Sequence, residues 1–259
     1  MKLSVFYHHV LEAAKQENCT VDAVLSKIRE FGITAVEVDW DAVAEPEELS
    51  KVLMRHEFTV SSMYGFYDFA QGCDPEKCRR HIALARAVGA GKIMVVPGFY
   101  TKPEAAERET ELKRMLEGTA YLTRLAGESG IRTTIEDFDD RTSPLHTISG
   151  VRKFLREIPA LGMTFDTGNF ILSGEDELEA LDLLQDRIVH VHCKDRAYDD
   201  NRNICPSPVG YGFLKMKEMI ERLKVSHYDG FLAIEHFDAP NYLDFIQKSA
   251  DWLNRNKEG

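Results

Sequence analysis

Long apolar runs are missing from this chain. No stretch approaches the ~18 consecutive apolar residues that a membrane-spanning helix needs. Positive charge is in deficit: 32 Lys and Arg stand against 43 Asp and Glu, a formal charge of −11. With a sequence pI near 5.3, the body repels phosphate backbones, so neither nucleic acid nor a membrane is an expected partner. The cysteines (Cys19, Cys73, Cys78, Cys193, Cys205) are scattered, odd in number and without a Cys-x-x-Cys pair, which argues against a disulfide framework and for reduced thiols. The N-terminal MKLSVFYHHVLEAAK has one early Lys, and His8 and His9 break its apolar stretch; no signal peptide is expected, and a cytoplasmic setting is. No Pro/Gly/Ser-rich linker divides the chain, so one domain over residues 1–259 is expected. Glycine is absent from YHHVLEAAK after the first apolar run, which removes the dinucleotide fingerprint of a doubly wound sheet; the P-loop pattern is absent too.

What the chain does have is a rhythm. Short runs rich in Val, Ile and Phe alternate with longer helical patterns. Candidate strands are Leu3–Phe6, Ala35–Val38, Thr59–Met63, Lys92–Val96, Arg132–Glu136, Met163–Asp166, Ile188–His192 and Phe231–Glu235. Eight strands in 259 residues leave about 32 residues per strand–helix unit, the size of a βαβ repeat. Helix starts are marked by Thr20 before VDAVLSKIREF, by Pro46 and Pro75 beside acidic residues, and by Lys102-Pro103-Glu104. Further helical stretches cover Ile148–Glu157, Asp176–Gln185, Leu214–Leu223 and Tyr242–Asn254. Strands alternating with helices in this number predict an α/β fold, a single (β/α)8 TIM barrel.

In such a barrel chemistry sits at the C-terminal strand ends. There the fifth to eighth strands offer Glu136, Asp166, His192 and Glu235 in turn. Each follows an apolar run, where a charge is costly unless paired or metal-bound. Alternation puts Thr134 below Glu136, Thr164 below Asp166, Ala233 below Glu235 and His190 one layer beneath His192. Three clustered carboxylates repel unless a cation joins them. A single divalent metal ion held by Glu136, Asp166, His192 and Glu235 resolves this, and three oxygens with one nitrogen suit Mn2+, Mg2+ or Co2+, with Zn2+ also open.

The run Glu136, FDTGN, HVHCKD, VGYGFL and IEHF, in strand order, resembles the xylose isomerase-like barrels: sugar isomerases and epimerases, inosose dehydratases and endonuclease IV type enzymes. The resemblance implies the same four metal ligands and, in the isomerase and epimerase branch, Glu136 and Glu235 as the catalytic acid/base pair. Lys194 and Asp195 match the family's Lys-Asp after the histidine, Pro208–Gly212 its glycine-containing loop, and Glu37 an acidic residue ending the second strand. Two departures stand out. Asn169 occupies a place where many members carry His, and SSMYGF and VVPGFY lack the histidines of the DNA-repair branch.

The resemblance thus implies a metal-dependent isomerase or epimerase acting on a small-molecule carbohydrate, by proton abstraction next to a carbonyl. A dehydratase on the same site shares the first step; a phosphodiester nuclease is disfavoured by charge and missing histidines. Tyr7, Trp40, Tyr64, Phe66 and Tyr67 are candidate pocket walls. Lys194, Arg196, Arg202 and Arg141 are candidate phosphate contacts, and the long Arg196–Gly212 segment is a candidate lid or partner contact. Whether the substrate is phosphorylated and whether the chain forms a homo-oligomer stay open.

Overall fold

The computed structural model describes residues 1–102 and 104–257. Eight parallel strands close into a barrel: β1 (Lys2–Phe6), β2 (Ile33–Asp39), β3 (Thr59–Phe66), β4 (Lys92–Val96), β5 (Arg132–Glu136), β6 (Gly162–Asp166), β7 (Ile188–Cys193) and β10 (Phe231–Ile234). Around the barrel each strand pairs with its sequence neighbour, and β10 pairs with β1 from Lys2–Phe231 to Val5–Ile234 to close it. A small antiparallel hairpin, β8 (Asp195–Tyr198) and β9 (Ile204–Ser207), stands outside it.

The helices are α1 (Tyr7–Gln16), α2 (Val21–Glu30), α3 (Pro46–Arg55), α4 (Pro75–Ala87), α5 (Ala105–Glu128), α6 (Ile148–Glu157), α7 (Glu177–Leu184), α8 (Met216–Val225) and α9 (Tyr242–Asn256). Their starts follow local chemistry. Thr20 Oγ1 accepts from the Ala23 amide, Asp74 from Glu76 and Lys77, and Asp176 from Leu178 and Glu179, filling amides that have no intrahelical partner. Pro46 and Pro75 open α3 and α4 where a missing N–H costs nothing. The expected Lys102-Pro103-Glu104 start abuts Ala105, the first residue of α5, with Pro103 outside the described residues. Among the described residues no helix is long and apolar enough to cross a membrane.

Strand alternation separates two environments. Leu3, Val5, Ile33, Val36, Val38, Ile93, Val95, Ile135, Phe165, Val191 and Leu232 face outward into the main core with the helices. Each such buried side chain contributes about 1.5–3 kcal/mol. The other parity is polar and still buried: Ser4, Glu37, Ser61, Thr134, Thr164, His190 and His192. Hydrogen bonds make that tolerable, with Ser4 Oγ 2.6 Å from Ser61 Oγ and Thr164 donating to Thr134 at 2.7 Å. Above this layer a small apolar cluster of Phe6, Tyr64, Met94, Val96 and Ala233 lines the upper barrel.

Candidate metal and catalytic site

The strand ends place the site. Glu136 ends β5, Asp166 ends β6, His192 lies one residue before the end of β7, and Glu235 follows β10 directly. The registers Glu136–Thr164, Asp166–His192 and Ala233–His192 hold them at neighbouring heights. Donor atoms of Glu136, Asp166, His192 and Glu235 all lie within 4.8 Å of one another, and all four residues are buried. His192 Nδ1 is 2.5 Å from Glu136 Oε1 and 3.0 Å from Glu235 Oε2. Lys194 Nζ is 2.5 Å from Glu235 Oε1 and 3.3 Å from Asp166 Oδ2.

Local geometry aims these groups. Asp166 Oδ1 accepts from the Gly168 amide at 2.7 Å, which turns Oδ2 toward the cluster. Thr167 Oγ1 donates to the Lys194 carbonyl at 2.8 Å and accepts from its amide at 2.9 Å, so the Asp-Thr-Gly turn clamps the end of β7. The Phe6 ring meets the His192 ring edge-on at 4.9 Å. Asp166 Oδ2 and Glu235 Oε2 are buried and make no well-aligned hydrogen bond; their polar neighbours are Lys194 Nζ at 3.3 Å and His192 Nδ1 at 3.0 Å.

Electrostatics follow from burial and neighbours. Burial, aided by the charges of Glu235 and Asp166, pushes Glu136 up to about 7 against the pull of His192. Asp166 is pushed up to about 6 by burial, although Lys194 opposes it. Burial would raise Glu235 as well, but Lys194 and His192 beside it outweigh burial and hold it well below the usual carboxylate range. Burial alone would lower Lys194; Asp166, Glu235 and Glu136 raise it instead and keep it charged. Three carboxylates converging on a buried point, two of them with an oxygen that makes no well-aligned hydrogen bond, and one imidazole nitrogen beside them, fit a hard or borderline divalent ion.

A cavity of about 470 Å3 opens above the cluster, with Glu136, Glu235 and Lys194 in its wall. Of the expected aromatic walls, Tyr64 and Phe66 line it. Trp40 and Tyr67 stack on each other at 5.4 Å and pack against His81 instead, and Tyr7 packs on the main core. Phe6, Phe138 and Phe237 complete the wall; Phe138 and Phe237 follow strand-end acids, a position that signals them in the sequence.

Asn169 is no bystander: its Oδ1 accepts from Lys194 at 3.1 Å and from Arg196 at 3.2 Å, and its Nδ2 donates to the Asp137 carbonyl at 2.8 Å. Arg196 lines the cavity and pairs with Asp139 at 3.4 Å. Arg141 donates to the Leu172 carbonyl, and Arg202 is exposed on the hairpin turn. The Arg196–Gly212 segment folds into the hairpin, and its Ile204 and Pro206 reach the cavity rim.

One further residue of the site, Asp137, carries no signal in the sequence, and another, Glu37, is matched only by resemblance. Asp137, completely buried, accepts from the Asp166 amide at 2.8 Å and is raised well above its ordinary value by burial and by Asp166. Glu37, placed by resemblance alone, reaches His192 from below: its Oε2 lies 3.0 Å from His192 Nε2 and 2.7 Å from His190 Nε2.

The model of the xylose isomerase-like TIM barrel family matches residues 25–256. Inosose dehydratase of Geobacillus thermodenitrificans is 25% identical over 179 residues, 62% of this chain and 59% of the relative. The alignment therefore spans less than two thirds of that relative's length. Among solved structures, the probable 3-DHS dehydratase of petrobactin synthesis from Bacillus anthracis superposes with a TM-score of 0.77 at 17% identity, covering 100% of both chains. The 3-keto-D-glucoside 4-epimerase from E. coli superposes with 0.73 at 19% identity, covering 98% of both. At these identities the two likenesses speak for the fold.

Proposed function

The chain belongs to the xylose isomerase-like TIM barrel family, and on that premise we propose that it is a metal-dependent isomerase or epimerase of a polyhydroxy ketone, a sugar or sugar phosphate. Glu136, Asp166, His192 and Glu235 hold one divalent ion, Mn2+, Mg2+ or Co2+ before Zn2+. A bound ion supplies Lewis acidity, which acidifies the C–H beside a substrate carbonyl. The observation that carries the reading is that Glu136 and Glu235 reach the same imidazole nitrogen, at 2.5 and 3.0 Å, and both line the cavity. Two carboxylates converging on one bound substrate are what removal and return of a carbon-bound proton requires. One takes the proton and the other gives it back to the opposite face or the next carbon. Lys194 keeps Glu235 ionised, while the aromatic wall of Phe6, Tyr64, Phe66, Phe138 and Phe237 keeps bulk water from the carbanionic intermediate.

The test is turnover of keto sugars with Mn2+ in D2O. Product is expected to carry deuterium at the carbon beside the carbonyl. Glu136→Gln and Glu235→Gln are each expected to lose about 10²–10⁴-fold in exchange. Product free of deuterium, with internal return of the proton excluded, or a Gln variant with full exchange, rejects the acid/base pair.

A second reading is a dehydratase, favoured by one specific feature. Lys194 puts a buried ammonium in the cavity wall, 2.5 Å from Glu235, a cation placed to stabilise the charge of a departing hydroxyl while Glu136, pushed up to about 7, supplies its proton. The same screen, extended to keto-inositols and read for both epimerised and dehydrated products, separates the two.

A further inference from the structure

Beneath the proposed metal ligands a second polar chain runs through the barrel interior, and the mechanism above makes no use of it. It starts at Lys92, the first residue of β4, crosses to His190 on β7, passes to Glu37 on β2 and ends at His192. Its distances are 3.2 Å from Lys92 Nζ to His190 Nδ1, 2.7 Å from His190 Nε2 to Glu37 Oε2, and 3.0 Å from Glu37 Oε2 to His192 Nε2. His190, Glu37 and His192 are all fully buried.

The direction of each hydrogen bond is dictated by chemistry. An ammonium only donates, and Lys92 is anchored by a second bond to the Val189 carbonyl at 3.0 Å. His190 Nδ1 therefore accepts, so its ring carries its proton on Nε2 and donates it to Glu37. An ionised carboxylate only accepts. His192 Nε2, facing the same Glu37 oxygen, must therefore carry a proton too. The nitrogen left to give up its proton to an arriving ion, and then to present a lone pair, is Nδ1, the one that faces Glu136 and Glu235. A ligand imidazole is ordinarily oriented in this way by a carboxylate behind it, and loss of such a partner costs about 10–100-fold in metal affinity.

We propose that Glu37, backed by His190 and Lys92, is a positioning residue that fixes His192 with Nε2 protonated and Nδ1 toward the carboxylate cluster. The proposal rests on the metal reading given above. The same three groups, Glu37, His190 and His192, are also close enough to hold an ion of their own. Their mutual hydrogen bonds at 2.7 and 3.0 Å already occupy Glu37 Oε2 and both facing imidazole nitrogens, which favours the positioning role, while Glu37 Oε1 makes no hydrogen bond.

The test measures Mn2+ binding to wild type, Glu37→Leu and Glu37→Gln, by the electron paramagnetic resonance of free Mn2+. It adds ring 15N shifts of histidine-labelled protein with diamagnetic Mg2+, which report where the proton of His192 sits. Wild type is expected to bind one Mn2+ per chain and to show His192 protonated at Nε2. Glu37→Leu is expected to bind 10–100-fold more weakly and to lose the single tautomer. Should that variant fail to fold, the isosteric Glu37→Gln carries the test: its amide oxygen accepts from one imidazole while its NH2 confronts the other. At least a fivefold weakening is expected of it.

A folded Glu37→Gln within twofold of wild type overturns the proposal. So does a loaded wild type with His192 protonated at Nδ1, or a second Mn2+ per chain. If wild type takes up no Mn2+, the metal reading itself has failed and this inference falls with it. If wild type binds and the variants bind equally, only the inference falls.

Discussion

At the scale of the single residue, the buried interior is a place where protonation states are set by burial and then held by partners. His81 shows this away from the cluster. It lies fully buried on α4, with Nε2 3.3 Å from the Met63 carbonyl and Nδ1 3.0 Å from the Tyr67 hydroxyl. A carbonyl only accepts, so Nε2 donates and Nδ1 accepts: the ring is neutral and fully partnered. Burial pushes it down to about 4 from the ordinary 6.5. The unfolded chain then binds a proton that the folded chain refuses. The stability that His81 contributes is complete above pH 6.5 and is lost as the pH falls from there toward 4, by about 2–3 kcal/mol at pH 4.5. His190, held at about 4 by burial, acts in the same direction. Urea unfolding at pH 7.5 and 4.5 checks this. His81→Gln is expected to show a smaller loss than wild type between the two pH values, by about 2 kcal/mol; an equal loss would mean that His81 does not titrate in this way.

At the scale of the element, the loop from Pro208 to Leu214 takes its shape from one carboxylate. Asp195, opening β8, accepts from the amides of Gly210 at 2.8 Å, Gly212 at 3.0 Å and Leu214 at 3.4 Å. A Cβ on Gly212 would stand 2.2 Å from that carboxylate and from the Arg196 carbonyl. Gly212→Ala is therefore expected to cost about 1–3 kcal/mol and to open the loop to protease; thermal melting and limited proteolysis measure it, and an unchanged melt would count against the Asp195 clamp. This clamp explains the Lys-Asp and glycine-loop residues, which resemblance matched without a physical reason. The strands themselves were legible because apolar runs of period two ending in an acid or imidazole leave few other readings, and Thr134 and Thr164 beneath the acids agree with the alternation. What stayed hidden has physical causes. α1 follows β1 without a loop, and Phe6 at its start makes no side-chain cap, so no start signal exists to read. The β8–β9 hairpin is two four-residue strands outside the barrel, Asp-Arg-Ala-Tyr and Ile-Cys-Pro-Ser, below the length at which alternation can be recognised. Trp40 and Tyr67 look like pocket walls in the sequence but stack with His81, a partner that only the fold supplies.

At the scale of the whole molecule, the proposed ligands come from β5, β6, β7 and the residue after β10. They therefore span half of the barrel, and β10 is the strand whose pairing with β1 closes it. No one of these strands can detach without dismantling the ligand set, so binding of an ion is linked to global unfolding rather than to local fraying. An ion that binds the folded chain alone stabilises it by RT ln(1 + [L]/Kd), about 2.7 kcal/mol at a hundredfold excess over Kd. For a chain of this size that is about 5–10 °C in melting temperature. Mn2+ is expected to raise the melt by that amount, with EDTA reversing the rise. Asp166→Asn should abolish most of the effect, since Asp166 is one of the four proposed ligands and its buried Oδ2 makes no well-aligned hydrogen bond to protein. The control is Asp176→Ala, which removes a helix cap on α7 away from the cluster and is expected to cost about 1 kcal/mol of stability yet to keep the full Mn2+ shift. A wild-type melt indifferent to Mn2+, Mg2+ and Co2+ alike would mean that the four residues are a self-sufficient charge network. In that case Lys194 and His192 would be its cations, and the isomerase reading would lose its metal.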